Sequence, residues 1–390
     1  MNFLVNNKKI IAIGLCSDQK RNIFSGQAMM FEALTHFLKE EQFDVSIINL
    51  TSQFVNIQVG KIALKRIIEY FIIILRSIPV FFRNRRGILY ITTAQTKGGF
   101  LRDLVFINFA VLTGCKVLIQ QFGSNFGIFY ESLSPIFKYL VRSTFNKGEY
   151  IIVEGEFTKR QFAILKNYSV KVIAITNGLP ERNLKISNIG KSYNESEPFR
   201  LIYLSYMIES KGYWDVLEAM DILINKSNRN VNCVFAGMFK SSVDDVRFTN
   251  ETEATQAFHS YIELKNLKGK ITYYGGLMGE DKANAFKKTH VFLLPSYFKF
   301  EGQPVSVLEA MAYGAVPIVT NYRMIPNMVT SECGIFVEAK SPHQIATKIE
   351  YLIDNPEIFQ NLSQSAVNRF QDNFTLDKYC SNILQLINVL

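Results

Sequence analysis

The sequence predicts an α/β protein made of two doubly wound domains. Three observations carry this. The chain has 390 residues, more than one ordinary core holds. Short apolar runs alternate with helical patterns twice, once before residue 180 and again from residue 200. Between the two series lies ERNLKISNIGKSYNESEPF (181–199), dense in Asn, Ser and Pro, which reads as a linker.

In the first series, KKIIAIGL (8–15) reads as a buried strand. SGQAMMFEALTHFLKEE (25–41) follows as a helix, with Ala28, Phe31, Leu34 and Leu38 at three- and four-residue spacing. VSIINL (45–50), GILYITTA (87–94), KVLIQQFG (116–123), YIIVEG (150–155) and KVIAITNG (171–178) are further strands. Helical patterns separate most of them, notably at 100–113 and 156–167. In the second series, RLIYLSY (200–206), NCVFAGM (232–238), KITYYGG (270–276), HVFLLPS (290–296), VPIVTN (316–321) and GIFVEA (334–339) read as strands. GYWDVLEAMDILINK (212–226) reads as a helix, as does VSVLEAMAYG (305–314), which closes at Gly314 where a C-terminal glycine belongs. The tail from about 342 is helical. Such alternation implies parallel sheets covered on both faces, with ligands bound outside the carboxyl ends of the strands and a cleft between the halves.

Composition narrows the function. The net charge of +9 favours anionic partners, although a generic basic surface would look the same. No nucleic-acid motif accompanies it. The five cysteines are scattered, odd in number and mostly in apolar runs, which fits reduced thiols in a cytosolic chain. The four histidines show no ligand spacing, and no metal site is expected. There is no Asp-x-Asp triplet; Asp244-Asp245 reads as a solvated loop or helix end. No G-x-G-x-x-G follows the first strand, which argues against an NAD-dependent oxidoreductase. Ile10–Cys16 is too short for a signal-peptide core, and no apolar run reaches the length of a spanning helix.

KIALKRIIEYFIIILRSIPVFFRNRR (61–86) holds seven basic residues opposed by Glu69 alone. It reads either as a core helix with basic ends or as an amphipathic stretch resting on an anionic bilayer. The second reading would place a cytosolic protein at the inner face of the plasma membrane.

The chemistry concentrates in FKFEGQPVSVLEAMAYGAVPIVT (298–320). Glu301 and Glu309 stand eight positions apart around a helix start near Pro304, Val305 and Ser306. The first N–H groups of a helix lack internal partners and can hold phosphate oxygens. A carboxylate one turn inside can accept both hydroxyls of a ribose. On spacing alone, a capped Glu309 and an exposed loop Glu301 explain the pair more simply.

The surrounding residues change that balance. Pro295-Ser296, Glu301, Glu309-Ala310-Met311-Ala312, Gly314 and Pro317 to Val319 closely resemble the donor-binding motif of retaining GT-B glycosyltransferases, family four, also called glycosyl transferases group 1. The resemblance runs over most of the chain. LIYLSYMIESKGYWDVLEAM (201–220) is similar to the family's strand-loop-helix, with Lys211-Gly212 facing the donor diphosphate. The family's arginine five residues before that lysine is Tyr206 here. FSGQAMMFEAL (24–34), with Ser25-Gly26, resembles the glycine loop at the start of the first helix. KGGFLRDLVF (97–106) and LIQQFGSNFGIFY (118–130) resemble acceptor-side segments, but Phe122 stands where many members have a histidine. Asn177-Gly178 matches a turn before the linker.

What the resemblance implies is specific. The fold would be GT-B, two Rossmann-like domains. Residues 1–180 would bind acceptor, 181–199 would link, and 200–365 would bind donor. A helix at 366–390 would pack back on the first domain. The reaction would transfer a sugar from a nucleotide diphosphate sugar to a hydroxyl of a glycan or lipid-linked acceptor, with retention, without metal and without a cofactor beyond the donor. Cell-surface polysaccharide synthesis is the implied setting. Glu301 and Lys211 would be catalytic. Glu309, Gly302, Gln303, Pro304, Val305, Ser306, Tyr206, Gly26 and Gly275 would contact the donor. Asn125, Gln121 and Arg102 are the acceptor-side candidates. Two alternatives stand beside this: a nucleotide-sugar epimerase of the same fold, and a degenerate member that binds without turnover.

Overall fold

In a computed structural model, the described residues are 8–17, 26–51, 64–180, 190–194, 196–242 and 245–390, with the backbone alone for Leu64 and Arg66. Ser25, Lys61, Asp244 and most of the 181–199 linker lie outside them. The chain forms two compact units, Met1–Arg182 with Thr375–Leu390, and Asn183–Phe374.

The first unit holds strands β1 (Lys9–Gly14), β2 (Asp44–Asn49), β3 (Ile88–Thr92), β4 (Lys116–Gln121), β5 (Tyr150–Val153) and β6 (Val172–Ala174). They pair in the order β2-β1-β3-β4-β5-β6, all parallel. Both faces are covered, which is why β3 is buried at every residue and β4 at every residue after Lys116 rather than at alternate ones. One face carries a phenylalanine core in which Phe126 stacks on Phe162 at 4.0 Å. The other carries Phe31, Leu34 and Tyr90 together with Leu376, Tyr379 and Ile383.

Those last three belong to the helix Leu376–Val389. The preceding helix, Pro356–Asn373, stays in the second unit, so the tail divides at Phe374-Thr375 and not at 366. Thr375 caps the new helix by accepting from the Lys378 N–H. The pattern at 156–167 forms a helix only over Glu156–Arg160. Beyond it, three-residue bonds such as Phe162 N to Lys159 O and Leu165 N to Phe162 O tighten the chain into turns.

The second unit holds β7 (Phe199–Leu204), β8 (Val231–Ala236), β9 (Ile271–Tyr274), β10 (Val291–Leu294), β11 (Val316–Thr320) and β12 (Ile335–Val337). Their order is β12-β11-β10-β7-β8-β9, again all parallel. The order therefore reverses between β7 and β10, and ligands of such sheets bind outside the carboxyl ends of the strands at that switch point. Two helices the sequence did not announce, Glu251–Leu264 and Gly279–Lys288, lie in this unit. None of the five cysteines is in a disulfide, and four are buried.

Candidate functional site

The residues singled out around the glutamate pair converge on that reversal point. After β7 the chain makes a short 3-10 turn, Glu209–Lys211, and enters the helix Tyr213–Asp221 through Gly212. Gly212 sits at φ +81, and a Cβ there would lie 2.6 Å from the Pro295 carbonyl oxygen. Only glycine lets the two strand ends approach so closely. The Tyr297 N–H donates to the Ser210 carbonyl at 2.8 Å, joining the two loops.

This approach brings Lys211 to Glu301. Its Nζ lies 3.1 Å from Glu301 Oε1 and 5.1 Å from the centre of the Phe298 ring. The Ser296 hydroxyl donates to Glu301 Oε2 at 2.5 Å and accepts from the Phe298 N–H at 3.2 Å. Glu301 is 3% exposed, so it is no solvated loop glutamate. The carboxylate is held by a cation and a hydroxyl, the condition for keeping a charge in such a place. Its field, after burial itself, helps push the Tyr203 phenol well above its ordinary value.

Four residues after Glu301, the helix Val305–Ala312 begins behind Pro304 with no side-chain cap. Gly302, Gln303, Pro304 and Ser306 are half-buried and Val305 is exposed, so the first turn borders solvent. Gly314, at φ +70, ends this helix, and the Ala315 N–H closes back on the Ala310 carbonyl. Glu309 is 5% exposed and pairs with Lys282, on the helix Gly279–Lys288. Each glutamate of the pair is thus matched by one lysine from a distant part of the chain. Lys282 is the site residue that sequence reasoning missed.

The remaining candidates fall elsewhere. Tyr206 is exposed, its carbonyl accepting from the Tyr203 hydroxyl at 3.0 Å. Gly275 follows β9 on the surface, with open space around it. In the first unit, Gly26 is the exposed first residue of the helix Gly26–Glu40. Arg102 is buried, its guanidinium spent on Asp103 Oδ1 at 2.9 and 2.7 Å, above the Tyr70 ring. Gln121 is buried and bonded through both side-chain ends to Thr93 and Phe122. Asn125 is half-buried and precedes the helix Phe126–Glu131, its carbonyl accepting from the Phe129 N–H.

Comparison with known proteins bears on this arrangement. The profile of the family described as "Glycosyl transferases group 1" matches residues 186–369, nearly the whole second unit. An uncharacterized glycosyltransferase of Methanocaldococcus jannaschii is 23% identical over 67% of this chain and 62% of its own length. A capsular polysaccharide biosynthesis glycosyltransferase of Staphylococcus aureus is 22% identical over 51% of this chain and 50% of its own. These matches therefore span half to under two thirds of the relatives' length. Among solved structures, a glycosyltransferase from Rickettsia africae superposes with a TM-score of 0.68, at 17% identity, over 98% of both chains. Anabaena HepE in complex with UDP and glucose gives 0.65, at 12% identity, over 98% of this chain and all of its own. The whole chain takes the two-domain GT-B fold, and its residues 186–369 carry the match to the glycosyl transferases group 1 family.

Proposed function

We propose that the protein is a retaining, metal-independent glycosyltransferase, moving a sugar from a nucleotide diphosphate sugar to a hydroxyl of a glycan or lipid-linked acceptor. The observation that supports it best is the Lys211–Glu301–Ser296 cluster at the reversal point of the second sheet, beside an uncapped helix start. Anions favour such a helix end. A donor entering there would draw the Lys211 ammonium onto its diphosphate. Glu301, released from part of its ion pair, would accept from the donor sugar's hydroxyls. Glu309 would exchange Lys282 for the hydroxyls of the ribose. As the bond to the anomeric carbon breaks, charge grows on the leaving diphosphate, and Lys211 with the amides of 305 and 306 would be fixed in place to meet it, the Val307 N–H being given to the Pro304 carbonyl. Donors of that kind are worth about 2–4 kcal/mol of barrier each. The leaving phosphate would take the acceptor proton. The capsular and glycosyltransferase relatives favour a role in cell-surface polysaccharide synthesis.

The test is turnover. With UDP- and GDP-sugars as probes, wild type should release nucleoside diphosphate, and Glu301→Gln should lose at least about a hundredfold of that rate, the scale of one removed transition-state contact. Proton NMR of the first-formed sugar product should show the anomeric configuration of the donor. Inversion would remove the mechanistic part of the proposal, and silence with every donor would remove the activity. A second reading has one observation behind it. Exposed Tyr206 stands where the resemblance expects a phosphate-binding arginine. A protein that binds nucleotide without turnover would show that pattern.

A further inference from the structure

The helix Leu64–Arg83 in the first unit has two unlike faces. Ile73, Ile74, Val80 and Phe81 pack into the phenylalanine core, and Ser77 is buried with them. On the other side Ile67, Ile68, Phe71, Ile72, Leu75 and Phe82 are each between 40% and 65% exposed. At about 100° per residue these six fall within one arc of about 140°, a continuous apolar stripe. Lys65, Arg76 and Arg83, all exposed, fall within about 20° of one another along one edge of that stripe. Just past the helix, Arg85 and Arg86 line a cavity of about 350 Å³ together with Lys8, Lys9 and Lys116. Gly87, Ile88 and Leu390 complete the lining, with no acidic side chain among them; Glu149 reaches Lys116 from outside at 3.2 Å. The sequence left two readings of this segment open, a core helix and a stretch on a bilayer, and the structure shows a core face and an exposed one. One face is core and the other is bare.

An apolar stripe of this size needs a cover. A row of cations along its edge, continuing into a basic cavity, specifies what the cover carries. We propose that this helix seats the protein on an anionic lipid surface. Ile67, Phe71, Leu75 and Phe82 enter the boundary between head groups and acyl chains. Lys65, Arg76 and Arg83 meet lipid phosphates alongside, and Arg85 and Arg86 draw a further head group into the cavity. No helix among the described residues is long and apolar enough to cross a membrane, so the helix lies in the surface. The inference stands apart from the donor chemistry.

The experiment is co-sedimentation of the full chain with phosphatidylcholine vesicles, with and without phosphatidylglycerol, in the absence of nucleotide. Wild type should partition onto the anionic vesicles and come off as salt rises. Arg76→Gln with Arg83→Gln should weaken binding by about 25-fold, at about fivefold for each cation removed. Phe71→Ser with Phe82→Ser should abolish it. Both pairs are exposed, and unchanged far-UV circular dichroism will establish that the variants fold. Wild type that ignores anionic vesicles overturns the proposal, as does binding indifferent to Phe71→Ser with Phe82→Ser. A wild-type dimer broken by those serines, with no vesicle binding, would assign the stripe to a second copy of the chain. Nucleotide-induced stabilisation of the same variants should match wild type, which separates this outcome from failure of the transferase reading.

Discussion

Lys211→Met removes the ammonium from a carboxylate that is 3% exposed and leaves the aliphatic stem beside Phe298. Glu301 keeps the Ser296 hydroxyl on Oε2 but loses the cation 3.1 Å from Oε1. Removing one partner of a buried ion pair costs about 3–5 kcal/mol. The Lys211 side chain is 12% exposed, so water can reach the gap, and the lower end, about 3 kcal/mol, is expected. Lys211→Met with Glu301→Gln leaves a neutral amide that still accepts from Ser296. It should cost about 1–2 kcal/mol, a coupling of about 2 kcal/mol or more between the two positions. The assay is urea unfolding followed by the fluorescence of Trp214. It is the sole tryptophan of the chain and lies in the second unit, with Phe248 and Tyr261 at 5.2 and 5.3 Å. A Lys211→Met loss under about 0.5 kcal/mol, or a double variant as unstable as the sum of the singles, would refute the account of how this site holds its charge.

Other variants probe the same unit. Gly212→Ala, at φ +81 and with a Cβ 2.6 Å from a carbonyl oxygen, should lose at least about 2 kcal/mol in the Trp214 transition. Burial, with the Glu218 charge second, raises the Asp215 carboxyl to about 6 from 3.8. The folded state therefore holds a proton that the unfolded chain has released, and stability falls as pH rises from about 4 to about 6. Asp215→Asn should accordingly be more stable than wild type by about 1–3 kcal/mol above pH 6 and equal to it near pH 4, as denaturation at both values will show. Lys191, donating to the carbonyls of Phe286 and Thr289, is pushed by burial down to about 7 from 10.5. The unfolded chain then binds the extra proton, so stability should rise between about pH 7 and pH 10, and Lys191→Met should flatten that rise.

Much of this was legible in the sequence because it is local. Each strand is a short apolar run, and the helix at 305 carries its own start at Pro304 and stop at Gly314. The two glutamates and Lys211-Gly212 likewise stand in short patterns. What brings them together is not local. Lys211 and Glu301 are 90 positions apart, and their meeting depends on the sheet order reversing between β7 and β10. Lys282 was invisible for a different reason. Its helix, GEDKANAFKK, buries Phe286 alone and has too little apolar pattern to announce a facing. Nothing in it distinguishes the lysine that turns toward Glu309 from Lys287 or Lys288. Arg102 illustrates the converse. It reads as an available cation, yet its neighbour Asp103 is fully buried and binds it. The bare face of the helix Leu64–Arg83 became visible only when Phe81 and Ile74 were seen to take the core side.

The central claim is a nucleotide site at the reversal point of the second sheet. Its most direct test is thermal unfolding, followed by Trp214, of wild type and Glu309→Ala with UDP, GDP, ADP, dTDP and CMP in turn. One nucleoside diphosphate at a hundred times its dissociation constant should stabilise the wild-type second unit by about 2.7 kcal/mol. The same concentration should stabilise Glu309→Ala clearly less. A transition unmoved by every nucleotide, or moved equally in both proteins, would contradict the site described.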